Sequence, residues 1–88
     1  MAYKVQWSIR AQNDLKALDS VVARRILKKL KWVFNQEDAL AFARRLEHSS
    51  SGDARFRIGD YRVIISVVTK QNVVLIVSIG HRSEIYRG

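Results

Sequence analysis

The sequence has no cysteine and no proline, only four glycines, and half as many acidic residues as basic ones. Without cysteine there is no disulfide framework and no thiolate metal site, which is consistent with a reducing compartment. Without proline, and with glycine scarce, no linker or low-complexity stretch divides the 88 residues. One domain spanning 1–88 is expected, small but large enough to bury a core without staples. No internal repeat is visible. The longest near-apolar run, Val73 to Ile79, is far too short to span a bilayer. The start Met1-Ala2-Tyr3-Lys4 has no apolar stretch of the kind a secretory signal carries. No membrane association is expected, and the expected location is the cytoplasm.

What the sequence has is positive charge. Sixteen basic residues against eight acidic give a net +8 and an isoelectric point near 10.5. On a small domain this balance points to nucleic acid or another polyanion, an acidic protein partner included.

The last third organises the chain. Arg55-Phe56-Arg57-Ile58 alternates charged and apolar residues with period two, the pattern of a half-buried strand. Gly59-Asp60 suits a two-residue type II′ turn, whose first position needs positive φ. A strand from Tyr61 to Val68 follows. This turn fixes a register in which Ile58 faces Tyr61, Arg57 faces Arg62 and Phe56 faces Val63. Phe56, Ile58, Tyr61 and Val63 then share one face, and Arg55, Arg57 and Arg62 share the other. Like charges directly opposite each other repel, by roughly 0.2–1 kcal/mol. Such a cluster calls for an anion, and phosphate suits the planar guanidinium fork. The alternative is a solvated sheet edge whose charges deter aggregation.

Further upstream, Tyr3-Lys4-Val5-Gln6-Trp7 alternates and reads as a first strand. Ser8 is placed to cap a short helix carrying Ile9, Ala11, Leu15 and Leu18. A second helix, from about Ser20 to Asn35, has an apolar stripe of Val22, Ala23, Ile26, Leu27, Leu30, Val33 and Phe34. Arg24, Lys28 and Lys31, spaced i, i+4, i+7, form a basic line along it. That line is either a solvated helix face or a contact to a nucleic-acid backbone. Asp38 is the expected cap of a third, shorter helix with Leu40, Phe42, Ala43 and Leu46, and Arg44 and Arg45 would suit its C-terminal dipole. His48-Ser49-Ser50-Ser51-Gly52 is a loop. After a turn at Thr69-Lys70-Gln71-Asn72, Val73 to Ile79 reads as another strand. If Val68 opposes Val73, Val74 and Ile76 fall on the Phe56 face. Val73, Leu75, Val77 and Ile79 fall on the arginine face, which then needs cover from the third helix or a partner segment. Gly80-His81-Arg82 ends the strand, and Glu84-Ile85-Tyr86 forms a last short strand or arm. The expected fold is α+β: an antiparallel sheet of about four strands with a helix pair on one face.

The order strand, helix pair, three-stranded meander, with Arg57-Ile58-Gly59-Asp60-Tyr61-Arg62-Val63-Ile64 and Gly80-His81-Arg82-Ser83-Glu84-Ile85-Tyr86, resembles the RelE/ParE toxin superfamily of toxin–antitoxin pairs. The resemblance covers essentially the whole chain. It implies a metal-independent and cofactor-free endoribonuclease that cuts mRNA in the ribosomal A site. The ribose 2′-OH would attack the adjacent phosphate, leaving a 2′,3′-cyclic phosphate and a 5′-OH. On this resemblance the site residues are Arg55, Arg57, Arg62, Arg82 and Tyr86, with His81 a candidate proton donor in the tail. Arg62 and Arg82 would hold the phosphate, Arg55 and Arg57 would stabilise the transition state, and Tyr86 would orient the nucleotide. The chain departs from the best-known RelE-type enzyme by having arginines where that enzyme has lysines. A guanidinium is a poor proton donor, whereas imidazole exchanges protons near neutral pH. The resemblance also implies a cognate RelB-like antitoxin with an acidic amphipathic segment. Operator DNA would be reached only through that antitoxin. Two rival functions share the fold: a ParE-like DNA gyrase inhibitor without nuclease chemistry, and an inert member acting only as a corepressor with its antitoxin.

Overall fold

The computed structural model describes residues 3–47 and 52–85. Strand β1 (Lys4–Trp7) leads through Ser8 into α1 (Ile9–Lys16), and α2 (Ser20–Phe34) follows. A 3₁₀ turn (Ala39–Phe42), β2 (Arg44–Arg45), β3 (Ala54–Ile58), β4 (Tyr61–Val68), a second 3₁₀ turn (Thr69–Gln71) and β5 (Val73–His81) complete the chain. The strands form one sheet in the order β1-β5-β4-β3-β2.

Both helices start where the sequence provides a cap. The Ser8 side chain accepts from the Ala11 N–H, and that of Asp19 accepts from the Val21 N–H, each satisfying a donor the first turn leaves without a partner. The apolar stripe of α2 then buries Ile26, Leu30 and Val33. With Ala11 of α1 they meet Phe56, Val63, Ile65, Val74 and Ile76 on one face of the sheet. The expected α+β architecture is found, with two helices on a single sheet face.

The β3–β4 hairpin has the expected register: Ile58 pairs with Tyr61, Arg57 with Arg62 and Phe56 with Val63. Gly59 takes φ +59°, a conformation that costs an L-residue about 1–2 kcal/mol. A Cβ there would meet nothing within 4 Å, so the requirement for glycine is one of backbone conformation alone.

Several expectations are corrected. The sheet has five strands and is mixed, because β1 runs parallel to β5, pairing Val5 with Val74 and Trp7 with Ile76. Apolar alternation fixes the face a strand presents but carries no information about its direction. The third helix is absent. Asp38 makes no side-chain cap bond, the chain makes only a 3₁₀ turn over Ala39–Phe42, and Arg44 and Arg45 become the edge strand β2. Residues 82–85 form turns, not a strand, and Tyr86 lies outside the described residues, as do His48 to Ser51.

The strand β5 also changes face midway. Val68 pairs with Val73 as expected, and this register runs to Ile65 with Ile76; beyond it, Ile64 pairs with Ser78 and Val63 with Ile79. Val77 is therefore the extra residue of a β-bulge. The bulge returns Ile79 to the core face, where it is buried, and not to the arginine face as expected. It also sets Gly80 opposite Arg62; without it Ile79 would stand there. Helix α1 satisfies the backbone groups that the bulge takes out of the ladder. Ser8 Oγ donates to the Val77 carbonyl at 2.7 Å, and the Ile79 N–H donates to Asp14 Oδ2 at 2.9 Å.

The outer face, opposite the helices, is partly covered without a third helix. A Cβ on Gly52 would lie 2.6 Å from Ile64 Cγ2, and one on Gly80 would lie 2.9 Å from Ile85 Cδ1. Gly52 and Ile85 thus lie against that face at the arginine end, and Ile64 and Ser78 are buried there. Among the described residues no helix is long and apolar enough to cross a membrane.

Asp14→Ala leaves the Ile79 N–H without its charged acceptor and is expected to cost about 1–3 kcal/mol. Asp14→Asn, which keeps an acceptor oxygen, is expected to cost less. Urea denaturation of the two variants provides the measurement. Equal and negligible losses would show that the bulge does not need α1.

Candidate functional site

The outer face of the hairpin carries the arginines. Arg57 stands opposite Arg62, Arg55 opposite Ile64, and Arg44 of β2 opposite Arg55. Paired residues in an antiparallel ladder point to the same side, so three adjacent strands present four guanidinium groups to one place. They border a concavity of about 220 Å³ lined by Phe42, Arg44, Arg55, Arg57 and Arg62. Among the described residues no acidic side chain lines it.

The four arginines are held differently. Arg62 is the buried one, 8% exposed. Its Nη1 donates to the Gly59 carbonyl and to the Tyr61 carbonyl, each at 3.0 Å. The turn that sets the register thus also fixes this guanidinium. Gly80 alongside it adds no side chain. Arg55 is half-buried, while Arg44 and Arg57 are exposed.

Arg44 was not a sequence candidate for this site. Its place followed from reading residues 38–46 as a helix, which puts arginines at a C-terminus and not on a sheet. Ala43-Arg44-Arg45-Leu46 does not alternate, so the sequence carries no period-two signal for this two-residue strand.

Of the tail candidates, His81 and Arg82 do not line the concavity, and Tyr86 lies outside the described residues. The Arg82 N–H donates to the Asp60 carbonyl at 2.7 Å, and Arg82 Nε lies 3.8 Å from Asp60 Oδ1. Arg82 is thus tied to the far side of the turn and does not line the concavity. His81 pairs with Tyr61 and packs edge-to-face on its ring, with centroids 5.5 Å apart. It therefore takes Tyr61's side of the sheet, the face opposite Arg62. The Ser83 N–H donates to His81 Nδ1, which also lies 2.8 Å from Ser83 Oγ. Because a backbone N–H can only donate, Nδ1 is the acceptor and the neutral ring carries its proton on Nε2.

Arg24, Lys28 and Lys31 lie exposed on α2, and none of them lines the concavity. Lys29, also on α2, places its Nζ 4.5 Å from the Trp32 ring centroid. Lys31 instead borders an apolar groove of about 210 Å³ between α2 and β1, with Trp7, Leu27 and Phe34 in its walls. Among the described residues no group of three or more His, Asp or Glu side chains is placed to hold a metal ion.

Fold and site together define a small basic α+β protein with an arginine-lined pocket suited to phosphate. The family model for the ParE toxin of type II toxin–antitoxin systems (parDE) matches residues 5–86. The RelE–RelB complex from Pyrococcus horikoshii contains a chain 30% identical, with a TM-score of 0.72; the match covers 96% of this chain and 99% of that one. The isolated RelE toxin of E. coli is 27% identical with a TM-score of 0.72, covering 97% of this chain and 92% of that one. The RelBE complex from Mycobacterium tuberculosis shares the fold, with a TM-score of 0.77 at 21% identity, covering 93% and 100%. A comparison with curated proteins gives no match. The chain belongs to the ParE toxin family within the RelE/ParE superfamily, and is the toxin of a toxin–antitoxin system.

The Arg57–Arg62 pair should cost stability when no anion is present. Arg57→Thr is expected to raise unfolding stability by about 0.2–1 kcal/mol at low salt. The gain should shrink on adding pyrophosphate, which stabilises the wild type more than the variant. Thermal melts across a pyrophosphate series read both effects. A variant no more stable than the wild type at low salt would mean that the pair is not under repulsion.

Proposed function

We propose that this toxin is a ribosome-dependent endoribonuclease that cuts mRNA in the A site by attack of a 2′-OH on the adjacent phosphate. The reading is carried by the convergence of Arg44, Arg55, Arg57 and Arg62 on one concavity. The RelE toxins at 27–30% identity over nearly the whole chain support it.

Phosphoryl transfer requires charge stabilisation on the phosphate oxygens and routes for two protons. Arg62, held by the turn carbonyls, orients the phosphate. Arg55 and Arg57, with Arg44 beside them, stabilise the charge that builds as the 2′ oxygen bonds to phosphorus and the 5′ oxygen leaves. Arg82 draws in the strand from the tail side of the turn, and Tyr86 orients the nucleotide. The guanidinium groups keep their protons. His81 faces away from Arg62, so water or a ribosomal group takes the 2′-OH proton and water or the ribosome supplies one to the leaving 5′ oxygen. The exposed Arg24, Lys28 and Lys31 supply longer-range attraction to structured RNA. No metal or cofactor takes part, and the cytoplasm is the site of action.

The partner that silences the toxin is a RelB-like antitoxin. Its acidic amphipathic segment would lay apolar residues into the groove beside Leu27 and Phe34, with Lys31 at its border, and would reach operator DNA on the toxin's behalf. The match to the ParE family model favours a second reading, inhibition of DNA gyrase without nuclease activity.

Mapping 5′ ends of mRNA in a translating extract tests the first reading. The wild type is expected to produce discrete cuts, and Arg62→Ala to lose about 10²–10³-fold of that rate. His81→Ala should lose far less. No cleavage by the wild type, together with inhibition in a supercoiling assay, would give the protein to the gyrase reading.

A further inference from the structure

Phe42 borders the arginine concavity yet is left 49% exposed. It is not a loose side chain. The Trp32 ring packs against it edge-to-face, with centroids 5.2 Å apart at 74°. Trp32, itself 46% exposed, is fixed on α2 by Lys29 against its ring, and the Gln36 side chain donates to its carbonyl at 2.9 Å. The 3₁₀ turn that carries Phe42 is pinned by buried Ala39 and by the Ala43 N–H bonded to the Leu40 carbonyl. An aromatic ring packed on a second ring, half in water, beside a cluster of cations complements the two surfaces that a single nucleotide offers: a charged phosphate and a flat base.

We propose that Phe42, backed by Trp32, is the platform on which the base adjoining the arginine-held phosphate stacks. This rests on the reading of the concavity as an RNA-phosphate site. Phosphate contacts position the backbone, whereas an aromatic platform adds stacking on the π-face of a base. Phe42 thereby holds one base of the RNA in place beside the arginine-held phosphate. The geometry agrees, because phosphate and base of one nucleotide lie within that nucleotide's own length, and Phe42 and the arginines border a single concavity. Arginines alone would grip only the backbone; the ring adds a contact to the base.

The probe is a fluorescently labelled 2′-O-methyl pentaadenylate, which has no 2′-OH to attack and stays intact. A second set carries one abasic nucleotide at each position in turn. Anisotropy at low salt is expected to show wild-type binding weakened about tenfold by an abasic nucleotide at one position. Phe42→Ala should bind the intact probe about tenfold more weakly and lose the abasic penalty, and Phe42→Tyr should keep both affinity and penalty. An abasic penalty of the same size in Phe42→Ala, no penalty at any position, or no binding by the wild type would each overturn the platform. Cleavage in the translating extract is read separately. Cleavage without a Phe42-dependent penalty defeats the platform alone; a Phe42-dependent penalty without cleavage defeats the ribonuclease reading and leaves the platform standing.

Discussion

The two-residue turn at Gly59-Asp60 is the constraint from which the site is built. Its positive φ at Gly59 sets β3 and β4 in a register that places Arg57 across from Arg62. Its carbonyls, from Gly59 and Tyr61, hold the Arg62 guanidinium. Its second residue, Asp60, takes the Arg82 N–H and so fixes where the tail leaves the sheet. A slip of one residue would turn every side chain of the hairpin over and send the arginines into the core.

Setting Arg57 directly across from Arg62 places like charges opposite each other, which costs roughly 0.2–1 kcal/mol. Carboxylates are present nearby, on Asp60 and Asp53, but they are used on the backbone and the tail. Asp53 accepts from the Val67 N–H, and Asp60 faces Arg82. Among the described residues the pocket is lined by the guanidinium groups and Phe42. A site arranged in this way is prepared for a ligand that brings its own negative charge, and the electrostatic work of gathering the arginines is done before that ligand arrives.

Much of this was legible in the sequence where short-range rules govern it. The hairpin register followed from Gly59 and period-two alternation, and the start of the first helix followed from Ser8. The buried stripe of α2 followed from its apolar spacing. Three of the arginines of the concavity followed from the register alone. What stayed hidden depended on neighbours distant in sequence. Arg44 joins the site because β2 finds the free edge of β3, a pairing that two residues cannot announce. Ile79 changes face because Asp14 and Ser8, more than sixty residues away, accept and donate to the backbone of the bulge. Phe42 stands beside the arginines because residues 39–42 make a 3₁₀ turn against Trp32 instead of a helix.

The amino-acid order by itself determined the class of the fold, the sharp turn and the side of the hairpin that bears charge, since each is settled by bonds and sterics spanning a few residues. Tertiary structure alone decided the direction of β1, the bulge in β5 and the membership of the pocket. A strand's alternating pattern specifies a face, while its direction, its edge partners and its irregularities are chosen by whichever distant backbone and side-chain groups complete its hydrogen bonds.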